Sequence, residues 1–283
     1  MRCHASPPFS YTVRLDPHTV RLGSHGVQVS YPVRERKEAP VPEEKPSGEQ
    51  VPEEKVASVW VRPERARRGR PALSRAQIVD AALGLLDAEG LDGLSMRRLG
   101  TRLNSGATSV YWHVANKDEL LELALDRVMA EVEVPAGGDW RASATGYARS
   151  LRAMIHRHPW TVTLFGGRPM IGPNATRVLD EVLGAFGAAG FTGFGLEYAW
   201  SAVVDYVIGA AGSEASWQRG QSGTSSADWV RRLGPYLAEL DAQRPALASH
   251  IREIWMKETG DVLEGRFAFG LACVLDGLEA RRL

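Results

Sequence analysis

The sequence predicts an all-α protein in which an N-terminal three-helix domain with a helix-turn-helix precedes a larger helical bundle. Three observations support this prediction. Three segments between residues 74 and 131 begin with a capping residue and continue at helical periodicity. Residues 138–283 contain apolar residues at helical spacing and no convincing strand pattern. The chain has 283 residues, of which 44% are hydrophobic, so it is long enough for about two domains.

The first helix of the small domain is predicted to begin after Ser74. Ser74 and Gln77 form a capping box, Leu73 and Ile78 form the matching hydrophobic staple, and Gly90 supplies a C-terminal stop. A short second helix follows Ser95, with one apolar face toward the first helix. Its basic residues lie on the side of solvent or DNA: Arg97, Arg98 and Arg102.

A tight turn and a short third helix complete the pattern. Asn104 tolerates a left-handed backbone, so the turn at residues 104–106 is expected to form without glycine at its first position. Asn116 and Glu119 then form a second capping box for a fourth helix. Two helices joined by a tight turn are typical of helix-turn-helix DNA recognition, in which the second of the two enters the major groove.

The third helix combines small residues at its start with bulky residues at its end. Ala107, Thr108 and Ser109 allow close approach to bases, and hydroxyl groups bond either base type. Bulkier side chains that follow reach phosphate and sugar, and a lysine at the start of the fourth helix adds positive charge: Tyr111, Trp112, His113 and Lys117. For Val110, Trp112 and Val114 the alternative is a place in the core of the small domain.

The N-terminal region has a different composition. Residues 1–60 contain scattered prolines and few apolar residues, which predicts a disordered extension, with a weak hairpin at 12–31 as the alternative. Residues 61–73 form a basic arm for phosphate or minor-groove contacts, through Arg65, Arg67, Arg68 and Arg70. Residues 62–117 hold ten Lys/Arg against five Asp/Glu in a chain of zero net charge, a local excess that suits DNA binding.

Several other classes of protein are excluded. Two cysteines build no disulfide framework, which indicates a reducing cytoplasm, and there is no apolar run near 18 residues to enter a membrane. The sequence lacks a nucleophile elbow, a phosphate-binding loop and a dinucleotide fingerprint, so we expect neither an enzyme nor a cofactor. His156 and His158 lie two apart on a helix without a third ligand, and we expect surface residues rather than a metal pair.

These residues resemble a known family. Ser95–Leu121, with YWHV at 111–114 and NKDELL at 116–121, is similar to the DNA-binding domain of the tetracycline-repressor (TetR) family. The resemblance implies a DNA-binding domain at 74–131 and an effector-binding and dimerisation domain at 138–283. It also implies that Arg97, Ala107, Thr108 and Ser109 contact bases and that Tyr111, Trp112, His113 and Lys117 contact the DNA backbone.

The same resemblance assigns roles to the helical body. The implied protein is a cytoplasmic homodimer on a palindromic operator in double-stranded DNA, a regulator and most often a repressor. It is released by a small aromatic or apolar effector. The implied effector site contains Tyr147, Leu151, Met154, Trp160, Leu164, Phe165 and Met170. The aromatic residues Trp200 and Tyr206 also suit an apolar ligand cavity, and a place in the core is the alternative for each aromatic residue of the body. LFGGRP at 164–169 resembles a family loop in which a histidine binds metal, but Leu164 or Phe165 stands in its place, so magnesium–tetracycline is not the expected effector.

The body also contains features expected at a dimer interface. In the last helix, apolar and small residues recur near heptad spacing: Leu263, Phe267, Gly270, Val274 and Leu278. Packing within one chain is the alternative explanation. The competing function is an effector-independent architectural DNA-binding protein that uses the arginine-rich arm, which would not require a body of this size.

Overall fold

The computed structural model describes residues 15–16, 19–20, 58–61, 73–168, 170–220, 226–253 and 260–282. Residues 1–55 form one unit, in which β1 (Leu15–Asp16) and β2 (Thr19–Val20) pair antiparallel. This pair falls within the stretch for which a hairpin was the alternative. Apart from residues 58–60, the rest of the predicted extension lies outside the described residues. The arginines of the basic arm also lie outside them, so Arg65, Arg67, Arg68 and Arg70 remain predictions.

The second unit, residues 56–283, is helical throughout its described part, which confirms the predicted all-α fold. A 3₁₀ turn, Val59–Val61, precedes four helices that we call the head: α1 (Arg75–Gly93), α2 (Met96–Arg102), α3 (Ala107–Tyr111) and α4 (Lys117–Met129). The body comprises α5 (Trp140–Arg157), a 3₁₀ helix (Pro159–Thr163), α6 (Pro173–Ala188), α7 (Gly193–Gly220), α8 (Ser226–Gln243), α9 (Pro245–Glu253) and α10 (Gly260–Glu279).

The helix boundaries follow the local signals in the sequence. Ser74 caps α1 through the predicted capping box, and Ser95, Asn116 and Asp139 accept a backbone N–H at the start of α2, α4 and α5. Pro159 and Pro173 occupy the first turns of their helices, where a missing backbone N–H costs no hydrogen bond. Gly90 was expected to end α1, but the helix continues to Gly93 beyond a kink at Gly90, where φ is 70°.

A continuous apolar core extends through the head and the body. In the head it is formed by side chains of α1, α2 and α4 around Val110 and Val114, both of which are 0% exposed. In the body, α5 packs between α6 and α7, and α10 packs against α7. Ser58–Val61 extend this core at the N-terminal side: Val59 is 3% exposed and packs against α4. The predicted disordered extension ended at residue 60, so the structure differs at residues 58–60.

Candidate DNA-binding site and effector region

The helix-turn-helix is held in place by a small set of buried residues. Leu99 of α2 and Val110 of α3 are 0% exposed and fix the two helices against the head core. Asn104 adopts φ 49°, the left-handed conformation expected of it, and the N–H of Ser105 donates to the carbonyl of Gly100 at 2.9 Å. The turn therefore positions α3 without a glycine at its first residue.

This arrangement leaves one side of α3 exposed. Thr108 is exposed and Ser109 half-buried, while Tyr111 and Trp112 are 48% and 67% exposed. His113 is half-buried, and for Ala107 only the backbone is described. The core alternative is therefore confirmed for Val110 and Val114 and is wrong for Trp112. Large aromatic side chains exposed next to a helix of small residues form a surface suited to a nucleic-acid backbone.

The three arginines of α2 have different environments. Arg97 is exposed. Arg98 donates to both carboxylate oxygens of Glu89 and, at 2.8 Å, to the carbonyl of Gly93. The hydrogen bond from Arg98 holds the pKa of Glu89 below its ordinary value. Arg102 lies across α1, where its Nη2 would be 2.7 Å from a side chain added at Gly84. All three side chains are exposed, as expected, and Arg98 and Arg102 also contact α1.

Lys117 lies at the first residue of α4 and is half-buried. Its Nζ donates to the carbonyl of Leu91 at 2.8 Å, at the end of α1. An ammonium group has three donors, so this bond leaves capacity for a phosphate while holding the side chain at the edge of the helix-turn-helix. Next to it, Arg168 of the body donates to the carboxylate of Asp118 at 2.6 Å.

The predicted effector residues are brought together, but as packed core. Leu151 and Met154 are 0% exposed, and Tyr147, Trp160 and Leu164 are at most 5% exposed. Burial raises the pKa of Tyr147 far above its ordinary value. The remaining four members are partly buried against this core: Phe165, Met170, Trp200 and Tyr206. The Tyr206 hydroxyl donates to the carbonyl of Phe267 at 2.8 Å.

A cavity of about 590 Å³ lies at another place in the body. It is formed by the segment that follows α4, the start of α5 and the end of α6. Its lining includes Val134, Trp140, Glu181, Ala185 and Arg282 and none of the predicted effector residues. Its volume is within the range of small-molecule sites. The implied site and this cavity are therefore distinct locations.

The head and the body are joined by a cluster of polar contacts at the end of α5. Asp87 of α1 is within 2.7 Å of His158 Nδ1 and accepts from Trp160 Nε1 at 2.8 Å. The other ring nitrogen of His158 is 3.2 Å from a carboxylate oxygen of Glu131. Trp160, which was expected to contact an effector, therefore also contacts the first helix of the head.

The prediction that His156 and His158 are surface residues is wrong for His158, while His156 is half-buried. His158 is 8% exposed and lies between Asp87 and Glu131. His156 Nε2 is 2.8 Å from Glu214, a carboxylate on α7 whose side chain is 1% exposed. The two rings are held by different partners because residues two apart on a helix lie on different faces. Within the described residues no group of three metal-ligating side chains is found.

Glu214 is the centre of a buried ion network between α5, α7 and α10. Arg152 donates to it through Nε at 2.8 Å and Nη2 at 3.2 Å, and also donates to Glu264 of α10. Burial alone raises the pKa of Glu214, but the hydrogen bonds from His156 and Arg152 outweigh it and hold this pKa below its ordinary value. The network fixes the relative positions of three body helices.

The predicted dimer stripe on α10 is largely turned inward. Phe267 is 1% exposed, and a side chain added at Gly270 would collide with the hydroxyl and the ring of Tyr206. Packing within one chain therefore explains these two residues. The exposed side of α10 contains Phe269, which is 74% exposed, and α7 exposes Phe194 and Tyr198. None of the described helices is long and apolar enough to cross a lipid bilayer.

A helix-turn-helix with an exposed third helix, mounted on a larger helical body, defines the class of helix-turn-helix transcriptional regulators. Two family models match the chain. The model for bacterial regulatory proteins of the tetR family matches residues 78–124, and that for the tetracycline-repressor-like C-terminal domain matches residues 134–282. The chain therefore belongs to the TetR family, as its sequence indicated.

Similar proteins agree with this assignment. An HTH-type transcriptional regulator of Saccharopolyspora erythraea is 42% identical over 196 residues, covering 68% of this chain and 81% of the relative. The HTH-type transcriptional repressor DrrR1 of Streptomyces coeruleorubidus is 37% identical, covering 78% and 83%. The crystal structure of ActR from Streptomyces coelicolor in complex with actinorhodin matches with a TM-score of 0.62 and 33% identity, covering 74% of this chain and 98% of ActR. The protein is a DNA-binding transcriptional regulator and not an enzyme.

Proposed function

We propose that the chain acts as a homodimeric repressor that binds a palindromic operator through α3 and is released by an aromatic or apolar small molecule. The main support is the surface formed by exposed Arg97, Thr108, Tyr111 and Trp112 around a rigidly held α3. Small residues approach the bases there, and aromatic residues reach the backbone. Two heads related by two-fold symmetry would match two half-sites.

The contact between Trp160 and Asp87 supports control by an effector. The 3₁₀ helix Pro159–Thr163 packs against α1, and it contains a side chain that belongs to the implied effector site. An occupant that displaced this helix would act directly on the head. A ligand shifts a conformational equilibrium only if it binds one of the two states more tightly. Here one state has the 3₁₀ helix packed on α1 and keeps the Trp160–Asp87 contact, and the other has the helix displaced and the contact broken.

Selection of bound DNA from a random pool tests the operator part of the proposal. The expected result is an inverted repeat whose two half-sites are bound by one dimer. Recovery of unrelated sequences with equal affinity would contradict sequence-specific regulation and would favour the architectural alternative. Binding is also expected to weaken steeply with salt, because several phosphates are neutralised.

The effector part is tested by thermal-shift screening followed by operator release in a mobility-shift assay. Actinorhodin is a suitable first probe, because a relative with 33% identity was solved with it. A compound that raises the unfolding temperature and releases the selected operator is expected among aromatic molecules. Compounds that stabilise the protein and leave the operator bound would argue against release as the mechanism.

A further inference from the structure

One face of α4 carries three buried carboxylates, at Glu119, Glu122 and Asp126. This is unusual, because a buried carboxylate requires hydrogen-bond donors to offset the loss of water. Each of the three accepts a backbone N–H from a different segment: Ala115 just before α4, Val59 of the N-terminal 3₁₀ turn, and Ala175 in the first turn of α6. The face therefore joins separate parts of the chain.

Glu122 binds the N-terminal turn. It accepts from the Ser58 hydroxyl at 2.7 Å and from the Val59 N–H at 3.3 Å. Ser58 and Val59 are 4% and 3% exposed, so the turn is packed against the helix rather than lying on its surface. These residues precede the family matches, which cover 78–124 and 134–282. The turn therefore lies outside the parts of the chain that match the family, while Glu122, its partner, lies within the first of them.

The same turn reaches the body through Trp60. A side chain added at Gly172, the residue before α6, would lie 2.6 Å from the ring of Trp60 and would also meet Asp126. Asp126 in turn accepts from the N–H groups of Asn174 and Ala175 at 3.0 and 2.9 Å, and thus caps α6 from a neighbouring helix. The turn, α4 and the start of α6 meet at this point.

We propose that Ser58–Val61 act as a strap that clamps α4 to the N-terminus of α6 and so fixes the orientation of the DNA-reading head on the body. The proposal rests on the function proposed above. α3 ends at Tyr111 and α4 begins at Lys117, so the position of α4 determines that of α3. A head held in its binding orientation avoids the entropy cost of ordering it on DNA.

The test uses the full chain with two variants and one control. Glu122→Leu removes the Oε2 atom that accepts both hydrogen bonds from the strap, and it places an apolar side chain in the buried position. Trp60→Ala removes the contact with α6 and leaves every charge unchanged. Asp180→Leu is the matched control, because Asp180 is an exposed acid on α6. Loss of an acidic charge by itself strengthens DNA binding, so weaker binding by Glu122→Leu cannot be a charge effect.

Two measurements are made on each variant after circular dichroism has shown that it is folded. Amide hydrogen exchange at the first turn of α6 is expected to be faster than in the wild type by about fivefold or more in both variants. Affinity for the duplex that the wild-type chain selects from a random pool is expected to be weaker by about fivefold or more, with the same sequence preference. Asp180→Leu is expected to match the wild type in both measurements.

The outcomes separate the strap from the proposed function. Unchanged exchange in both variants overturns the strap, and so does faster exchange with unchanged DNA affinity, which would show packing without control of the head. If the wild-type chain selects no DNA, the proposed function fails. The clamping of α4 to α6 is then tested by hydrogen exchange at the first turn of α6 alone.

Discussion

Arg97 and Arg98 are neighbours in α2 and both are exposed, but Arg98 is held by contacts with the end of α1. Arg98 is held by Glu89 and by the carbonyl of Gly93 at the end of α1. Its guanidinium therefore stabilises the junction of α1 and α2. Arg97 is exposed on the side of the helix-turn-helix. The sequence alone placed both on the side of solvent or DNA because the pairing with Glu89, nine residues earlier, depends on the turn between the helices.

Replacing these two arginines one at a time separates base recognition from structure. Arg97→Ala is expected to weaken binding to the selected operator and to relax preference at one base pair by about 1–3 kcal/mol. Arg98→Ala is expected to lower the unfolding temperature and to leave the base preference unchanged. Affinities over a set of operator variants measure this. Equal losses on all sequences for Arg97→Ala would rule out a base contact.

At the scale of elements, sequence signals identified most helix boundaries but not how the helices are joined. Ser74, Ser95, Asn116 and Asp139 cap helices through bonds to residues two or three positions away, so local sequence predicts them. The contacts of Asp87 and Glu122 join residues 63 to 73 positions apart, and no local pattern reveals them. The three acids in ELLELALD lie three and four residues apart, which places them on one face of a helix. This spacing was the signal in the sequence for the acidic face of α4.

The contact between α1 and the 3₁₀ helix is expected to stabilise the protein measurably. Trp160→Phe removes the N–H that donates to Asp87 at 2.8 Å and retains most of the buried ring. We expect the free energy of unfolding to fall by about 0.5–1.5 kcal/mol in a denaturant titration. The matched control is Trp200→Phe, which removes a bond to Glu197 on the same helix surface. If the free energy of unfolding falls equally in both variants, the hydrogen bond to Asp87 contributes no more to stability than a surface hydrogen bond.

The buried network of α5, α7 and α10 predicts a specific loss of stability in acid. Because the pKa of Glu214 is lowered in the folded protein, its stabilising effect is present above its ordinary pKa of 4.5. It is lost as the pH falls through the lowered value. Denaturant titrations between pH 6 and 3 are expected to show this decline, and Glu214→Gln should flatten it while destabilising the protein at neutral pH. The surface variant Glu181→Gln should retain the wild-type decline.

At the scale of the whole molecule, α10 has one apolar face that is buried within the chain and another side that is exposed and available to a partner. Phe267, Leu271 and Leu275 of α10 are at most 3% exposed because this face of the helix packs within the chain. The predicted heptad stripe included Phe267 and Gly270 because periodicity does not distinguish packing within a chain from packing between chains. The opposite side of α10 carries Phe269, with Gly265 and Cys273 four residues away on either side, all exposed.

This exposed side of α10 is where we expect the second copy of the chain to bind. A phenylalanine that is 74% exposed and flanked by small residues suits close packing of helices across a two-fold axis. Phe269→Asp would place a charge in that interface, so sedimentation at micromolar concentration is expected to change from a dimer to a monomer. Trp112→Asp places the same charge at an aromatic residue of the head that is 67% exposed, and this variant should remain a dimer.

A monomeric variant would also bind the two halves of the selected operator independently, because the gain in affinity from linking two heads is lost. Dimers of unchanged stability in Phe269→Asp would move the interface away from this side of α10.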